Sequence, residues 1–220
     1  MKIIKETDSG SVLETIKILK SGGIASFATE TVYALACDAS NDIAVKKLYK
    51  IKQRQISKPI SLIVKDLATI KKNFILSKEE EIVANKFMPG AITLILQKKD
   101  NVNNLSSLMN EGSNIFGVRI PNHQFTLVLL HEFNFMLAAT SCNISNQNPA
   151  INALDVVNYF NDEIDLLIDG GTCTEKIAST VVKINNKEHV EILREGLITK
   201  NQILESISTF NKTSENSTLE

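Results

Sequence analysis

Apolar positions along the chain change period several times, and the changes outline strands alternating with helices. Residues 3–5 read as a short strand, and residues 11–20 as a helix with Val12, Ile16 and Leu19 on one stripe, stopped by Ser21-Gly22-Gly23. Residues 24–28 are a second strand. Asn41 or Asp42 can cap a helix through about residue 50, with Ala44, Val45, Leu48 and Ile51 inward. Strand patterns recur at 61–64, 92–97, 116–120, 136–140 and 166–168. Between them, Asp66, the capping box Ser77–Glu80, Asn122, Asn152 and Thr199 mark helix starts, the last helix ending near Phe210. Residues 180–184 and 190–193 flank Asn185-Asn186-Lys187 as a hairpin. Residues 98–114 are polar and long, and read as a surface excursion. Strands alternating with helices, plus one hairpin, predict an α/β sandwich of the α+β kind on a mixed sheet.

Length fits one domain over residues 1–210, followed by a polar tail at 211–220 that reads as disordered. With 43% apolar and 22% charged residues the composition is that of a globular protein. The longest apolar runs fall far short of the roughly 18 residues of a membrane span, and MKIIKETDSG carries no apolar signal region. Cys37, Cys142 and Cys173 lack paired or metal-ligand spacing, which fits a reducing, cytoplasmic setting. A net charge of −1 without a basic block argues against a dedicated nucleic-acid binder.

The candidate chemistry gathers in loops. Lys52, Arg54 and Lys58 follow the helix pattern, and Pro59 biases Lys58 toward extended geometry. An extended 52–58 segment would aim Lys52, Arg54, Ile56 and Lys58 at one side, which suits a polyphosphate. Taken alone, the segment fits a solvated helix end better. Thr29 and Thr31 flank Glu30 just after a strand, and Ser141, Asn143 and Ser145 follow another, as turn residues or as ligand hydroxyls and amides. Arg119 lies in an otherwise apolar strand and needs an acidic side chain or a ligand anion. The chain has no Gly-x4-Gly-Lys-Ser/Thr loop, no Gly-x-Gly-x-x-Gly and no Gly-x-Ser-x-Gly elbow. Nothing pairs Cys142 with a base, and His123, His131 and His189 stand apart from one another.

Together these stretches resemble the YrdC-like threonylcarbamoyl-adenylate synthases, in the short single-domain bacterial form. The family's PTETVYGLG appears as Ala28-Thr-Glu-Thr-Val-Tyr-Ala-Leu-Ala36, followed by Lys52-Gln53-Arg54-Gln55. Pro89-Gly90-Ala-Ile-Thr93, Val118-Arg119-Ile-Pro121 and Thr140-Ser141-Cys142-Asn143-Ile-Ser145 follow in family order. Ile168-Asp169-Gly170-Gly171, Ser179-Thr180-Val181-Val182 and Leu193-Arg194-Glu195-Gly196 complete the set. Ala28, Ala34, Ala36, Gln55 and Asn146 replace family prolines and glycines, a change in backbone freedom more than in chemistry.

The resemblance implies an open twisted mixed sheet with helices packed around it and a large concave pocket. It implies that threonine and bicarbonate form a threonylcarbamate, which attacks the α-phosphate of ATP and expels pyrophosphate, with Mg²⁺ accompanying the triphosphate and no dedicated protein cage for it. The product would pass to a separate tRNA threonylcarbamoyl transferase acting at adenosine 37. By residue-for-residue analogy Arg54, Lys58, Asn143 and Arg194 serve ATP, with Lys52 beside the phosphates. Thr31, Arg119, Ser141 and Ser179 serve threonine, and Lys52 and Arg54 carry the catalytic charge. A relative with another or a lost adenylation substrate, and a non-catalytic RNA-binding module, are the alternatives.

Overall fold

The computed structural model describes residues 1–186 and 189–216, with side chains through residue 210. Helix starts follow local hydrogen bonding. Helix α1 (Ser11–Lys20) ends where Gly22, at φ 81, turns the chain back and its N–H reaches the Leu19 carbonyl. Asn41 Oδ1 accepts from the N–H groups of Ile43 and Ala44 to open α2 (Asp42–Ile51). Asp66 caps α3 (Leu67–Asn73), and Ser77 and Glu80 form a reciprocal capping box on α4 (Lys78–Phe87). Helix α5 (Gln124–Phe133) departs from expectation: its N-cap is the extended His123 rather than Asn122. Asn152 caps α6 (Ala153–Phe160). Thr199 Oγ1 accepts from the Gln202 N–H at the start of α7 (Lys200–Asn216), which runs past the expected end at Phe210 into the segment read as a tail. Residues 217–220 and Lys187 lie outside the described residues.

The strands are β1 (Lys2–Lys5), β2 (Ala25–Phe27), β3 (Ala34–Asp38), β4 (Ser61–Ile63), β5 (Phe74–Ile75), β6 (Ile92–Lys98), β7 (Ile115–Arg119), β8 (Leu137–Ser141), β9 (Leu166–Asp169), β10 (Thr180–Ile184) and β11 (Val190–Arg194). They form one sheet in the order β1-β9-β2-β3-β8-β4-β7-β6-β10-β11, with the two-residue β5 beside β6. Pairings β1–β9, β2–β9, β4–β7 and β6–β10 are parallel, and the remainder antiparallel, so the sheet is mixed as expected.

Strand alternation divides the side chains between two layers. On one face Leu35, Cys37, Leu62, Leu94, Val118, Leu167 and Val182 join the larger core, into which the apolar sides of α2, α4, α6 and α7 also pack. The 98–114 segment runs largely exposed, as expected, but is anchored in this layer. Val102 and Met109 are buried, and the Met109 carbonyl accepts from the Ile60 N–H at 3.0 Å and the Tyr49 hydroxyl at 2.9 Å. On the other face α1 and α5 cover a second core of Phe27, Leu137, Leu166 and Ile168, with Phe125, Leu129 and Phe133 laid over it. On α1 the stripe is shifted from expectation. Ser11, Thr15 and Leu19 are buried while Val12 and Ile16 flank them, and Thr15 tolerates burial because its hydroxyl donates to the Ser11 carbonyl at 2.7 Å. The smaller layer stops at β4, and the same face continues uncovered over β7, β6 and β10.

Candidate active site

The uncovered stretch of sheet is the floor of a cavity of about 480 Å³. Ser61 and Ile63 of β4, Gly117 and Arg119 of β7, Thr93 and Ile95 of β6, and Val181 of β10 point into it. Gly117 keeps the floor open, since a Cβ there would stand 2.7 Å from Ser61 Oγ and 3.2 Å from Thr93 Cγ2. The walls are loops at strand ends: the Thr29–Thr31 turn, the 54–59 turn, the β8 end at Ser141, and the approach to β10 at Ser179. An open groove between α4 and α7 is larger, about 1100 Å³, but gathers none of the candidate residues.

Of the residues singled out in the sequence, Thr31, Arg54, Lys58, Arg119, Ser141, Ser179 and Arg194 line this one cavity. Thr31 Oγ1 and Thr29 Oγ1 are 2.9 Å apart, and Thr29 Oγ1 donates to the Val32 carbonyl at 2.6 Å, which stiffens the turn. Arg54 is steadied by its own loop, Nε donating to the Lys58 carbonyl at 2.9 Å and Nη2 to the Pro59 carbonyl at 2.8 Å. Arg194 grips Ser179, donating to its carbonyl at 3.1 and 2.7 Å and to its hydroxyl at 3.0 Å. Ser179 Oγ and Thr93 Oγ1 lie 2.9 Å apart. Sequence reasoning placed Thr93 in a motif without giving it a role.

Lys52 and Asn143 stand behind the wall rather than in it. The 52–58 segment is not extended: Gln53 takes φ 51, and two successive turns carry the chain to Pro59. Lys52 is buried, its Nζ donating to Asn143 Oδ1 at 2.7 Å, to the Asn143 carbonyl at 3.1 Å and to the Ser141 carbonyl. Its own carbonyl accepts from the Ser145 N–H and hydroxyl at 3.0 Å. This double tie is what turns the segment away from extended geometry. Asn143 Oδ1 also accepts from Ser141 Oγ at 2.8 Å, so Lys52 acts on the pocket by holding the loop that presents Ser141. Asn146, where the family carries glycine, adopts φ 70, a left-handed conformation that asparagine tolerates.

The cavity's electrostatics are those of a cation cluster. Burial, then the neighbouring Arg119 and Arg54, depresses the Arg194 guanidinium, and burial depresses Arg54. Burial and the nearby Arg54 push the Lys52 amine down to about 7. Like charges held this close favour an anion between them. Arg119, predicted to need an acid or a ligand anion, has Glu30: Nη2 donates to Glu30 Oε1 at 2.7 Å. Glu30 was legible as the sole acid of residues 22–37, but its partner was not. Cys142 is fully buried, accepts from Ser26 Oγ at 3.3 Å and has its thiol pushed up to about 12, which removes it as a nucleophile. Among the described residues no group of three or more His, Cys, Asp or Glu side chains is placed to hold a metal ion, and no helix is long and apolar enough to cross a membrane.

Known proteins resemble this chain in sequence and fold. A family model named Sua5–YciO–YrdC, described as telomere recombination, matches residues 17–196. A putative threonylcarbamoyl-AMP synthase of Methanocaldococcus jannaschii is 31% identical over 204 residues, covering 90% of this chain and 94% of that protein. The threonylcarbamoyl-AMP synthase of Bacillus subtilis is 31% identical over 198 residues, of which this chain spans 56% of the length. Among solved structures, P. abyssi Sua5 complexed with L-threonine superposes with a TM-score of 0.86 at 26% identity, over 94% of this chain and 60% of that one. E. coli YciO shares the fold, with a TM-score of 0.80 at 20% identity over 92% of this chain and 97% of that one. The family model spans most of the chain and the fold is that of the solved structures, so this chain belongs to the Sua5–YciO–YrdC family.

Proposed function

We propose that this chain is a threonylcarbamoyl-AMP synthase, condensing L-threonine, bicarbonate and ATP to threonylcarbamoyl-AMP and pyrophosphate. The observation that carries the reading is the convergence of two kinds of group in one cavity: the cations Arg54, Lys58, Arg119 and Arg194, and the hydroxyls of Thr31, Ser141 and Ser179. Its volume of about 480 Å³ suits small substrates.

The threonine amine attacks the bicarbonate carbon, a C–N bond forms and water leaves, giving a carbamate. A carbamate oxygen then attacks the α-phosphorus of ATP, the bond to the bridging oxygen breaks, and pyrophosphate departs. Such chemistry needs alignment and charge neutralisation more than a protein nucleophile. Arg54, Lys58 and Arg194 neutralise the triphosphate and the leaving pyrophosphate. Arg119 takes the amino-acid carboxylate, while Thr31, Ser141 and Ser179 offer hydroxyls to the amino acid. Lys52 and Asn143 serve from behind, fixing Ser141. Mg²⁺ would arrive with the triphosphate, held by phosphate oxygens and water.

The product would be consumed in the cytoplasm by a transferase that modifies adenosine 37 of tRNA. The chain's net charge of −1 suits an enzyme that leaves tRNA to a partner. The deciding assay follows pyrophosphate release with ATP, bicarbonate and threonine. Release that depends on threonine is the expected result, and ATP turnover indifferent to threonine overturns the reading. Salt-sensitive tRNA binding without turnover would favour an RNA-binding module instead.

A further inference from the structure

The cavity must sort two anions. One is a singly charged carboxylate and the other a multiply charged polyphosphate, and Arg54, Arg119 and Arg194 all line the same space. Among the described residues, Arg119 differs from the other two in being ion-paired. Its Nη2 meets Glu30 Oε1 at 2.7 Å, its Nε donates to the Gly90 carbonyl at 3.0 Å, and the two side chains are 10% and 12% exposed. Glu30 stands on a braced turn. The Thr31 N–H donates to Thr29 Oγ1 at 3.2 Å, and the Glu30 carbonyl accepts from the Glu175 N–H at 2.8 Å. The second carboxylate oxygen, Glu30 Oε2, is buried without a hydrogen-bond partner. As a device for stability alone this is a poor arrangement, because desolvating two charges offsets most of their attraction and an unmet acceptor adds to the cost.

We infer that Glu30 is a positioning residue: it locks Arg119 to the turn that presents Thr31 and cancels its charge, reserving Arg119 for the amino-acid carboxylate and leaving polyphosphate to Arg54, Lys58 and Arg194. The inference rests on the synthase reading above. Two features of the geometry carry it. Tying Arg119 to the Thr29–Thr31 turn makes the carboxylate-binding and hydroxyl-binding groups move as one body, so the amino acid meets a preformed site. Pairing Arg119 with a carboxylate also lowers the potential at the floor, and a polyphosphate feels that change more strongly than a single carboxylate does.

The experiment is calorimetric titration of the full chain with L-threonine and, separately, with inorganic pyrophosphate. Glu30→Gln should weaken threonine binding about tenfold and tighten pyrophosphate binding about fivefold to tenfold, the ordinary range of coupling between two sites. Glu30→Asp, which keeps the charge on a shorter arm, should recover pyrophosphate discrimination more fully than threonine affinity. A merely structural Glu30 would not tighten pyrophosphate, so an unchanged or weakened pyrophosphate affinity in folded Glu30→Gln overturns the inference. If Glu30→Gln does not fold, the double variant Glu30→Gln with Arg119→Gln leaves neither charge alone. It should lose threonine binding and keep wild-type pyrophosphate affinity, and tightened pyrophosphate there overturns the inference as well. A wild-type chain that binds no threonine sinks the synthase reading, while the pyrophosphate arm still decides whether Glu30 screens Arg119.

Discussion

One face of the sheet does two different jobs on either side of β4. Toward β8, β3, β2 and β9 its outward residues are Leu137, Ala36, Phe27 and Leu166, and α1 and α5 seal them. Toward β7, β6 and β10 they are Gly117, Arg119, Thr93 and Val181, and among the described residues no helix covers them. Ala34, Ile63 and Ala139 belong to both halves, packing into the sealed core and lining the cavity. The alternation rule is the same throughout, so what separates core from site is whether a helix lies above. A sealed half gains stability from area removed from water. An open half accepts small, polar or charged residues, and their worth lies in what they bind.

The comparison yields graded tests. The largest effect belongs to the open half: Arg54→Ala should lower threonine-dependent pyrophosphate release by about 10²–10³ while the thermal midpoint barely moves. A folded Arg54→Ala protein with near-normal turnover would break the assignment. The sealed half should show the reverse. Leu129, buried on α5, when cut to Ala should cost about 2–5 kcal/mol, or about 2–4 °C in midpoint per kcal/mol, with unchanged KM for threonine in the folded fraction. A change in KM of the size of the stability loss would mean that the two halves are mechanically one.

Gly117→Ala tests the floor between them. The new methyl meets Ser61 Oγ and Thr93 Cγ2, and should raise KM for threonine about tenfold while costing about 1–2 kcal/mol. Adding Ser61→Ala should return part of both, and no recovery would place the effect elsewhere. A further test is a pH slope at Lys52. The unfolded lysine keeps its proton up to about 10.5, and the folded one gives it up near 7. Between those values the unfolded state binds more protons, so Lys52's contribution to stability rises with pH. The stability of wild type minus that of Lys52→Met should therefore rise from pH 7 to pH 10 in urea titrations. A difference that stays constant would mean the ammonium survives beneath the Ser141 loop.

The elements were legible where the signal is local. Asn41, Ser77 with Glu80, Asn152 and the β10–β11 hairpin all sit where capping and turn chemistry put them. Strand β3 was missed because Ala34 and Ala36 have little strand preference of their own and are held by pairing to β2 and β8. The anchoring of the 98–114 segment was missed because Val102 and Met109 are sparse apolar anchors in a polar run. At the site, motif order brought seven residues to one cavity, yet the two cations differ in ways no spacing records. Lys52 is buried by contacts with a loop some 90 residues away, and Arg119 is answered by a carboxylate 89 positions earlier. Partner choice across such separations is a property of the sheet order, which local patterns leave open.

The pairing of β1 with β9 has a consequence for how the chain is made. Lys2 lies beside Leu166 and Lys5 beside Asp169, so β1 leaves the ribosome about 160 residues before the strand it pairs with. At roughly 5–20 residues per second it waits about 10–30 s, an exposed edge with Ile3 and Ile4 unpartnered. The cavity is later still, since its floor needs β10 and its cations need Arg194. A message truncated before Arg194 would thus release a chain holding most of the sheet and the Thr29–Thr31 wall, without the Arg194 guanidinium that lines the cavity.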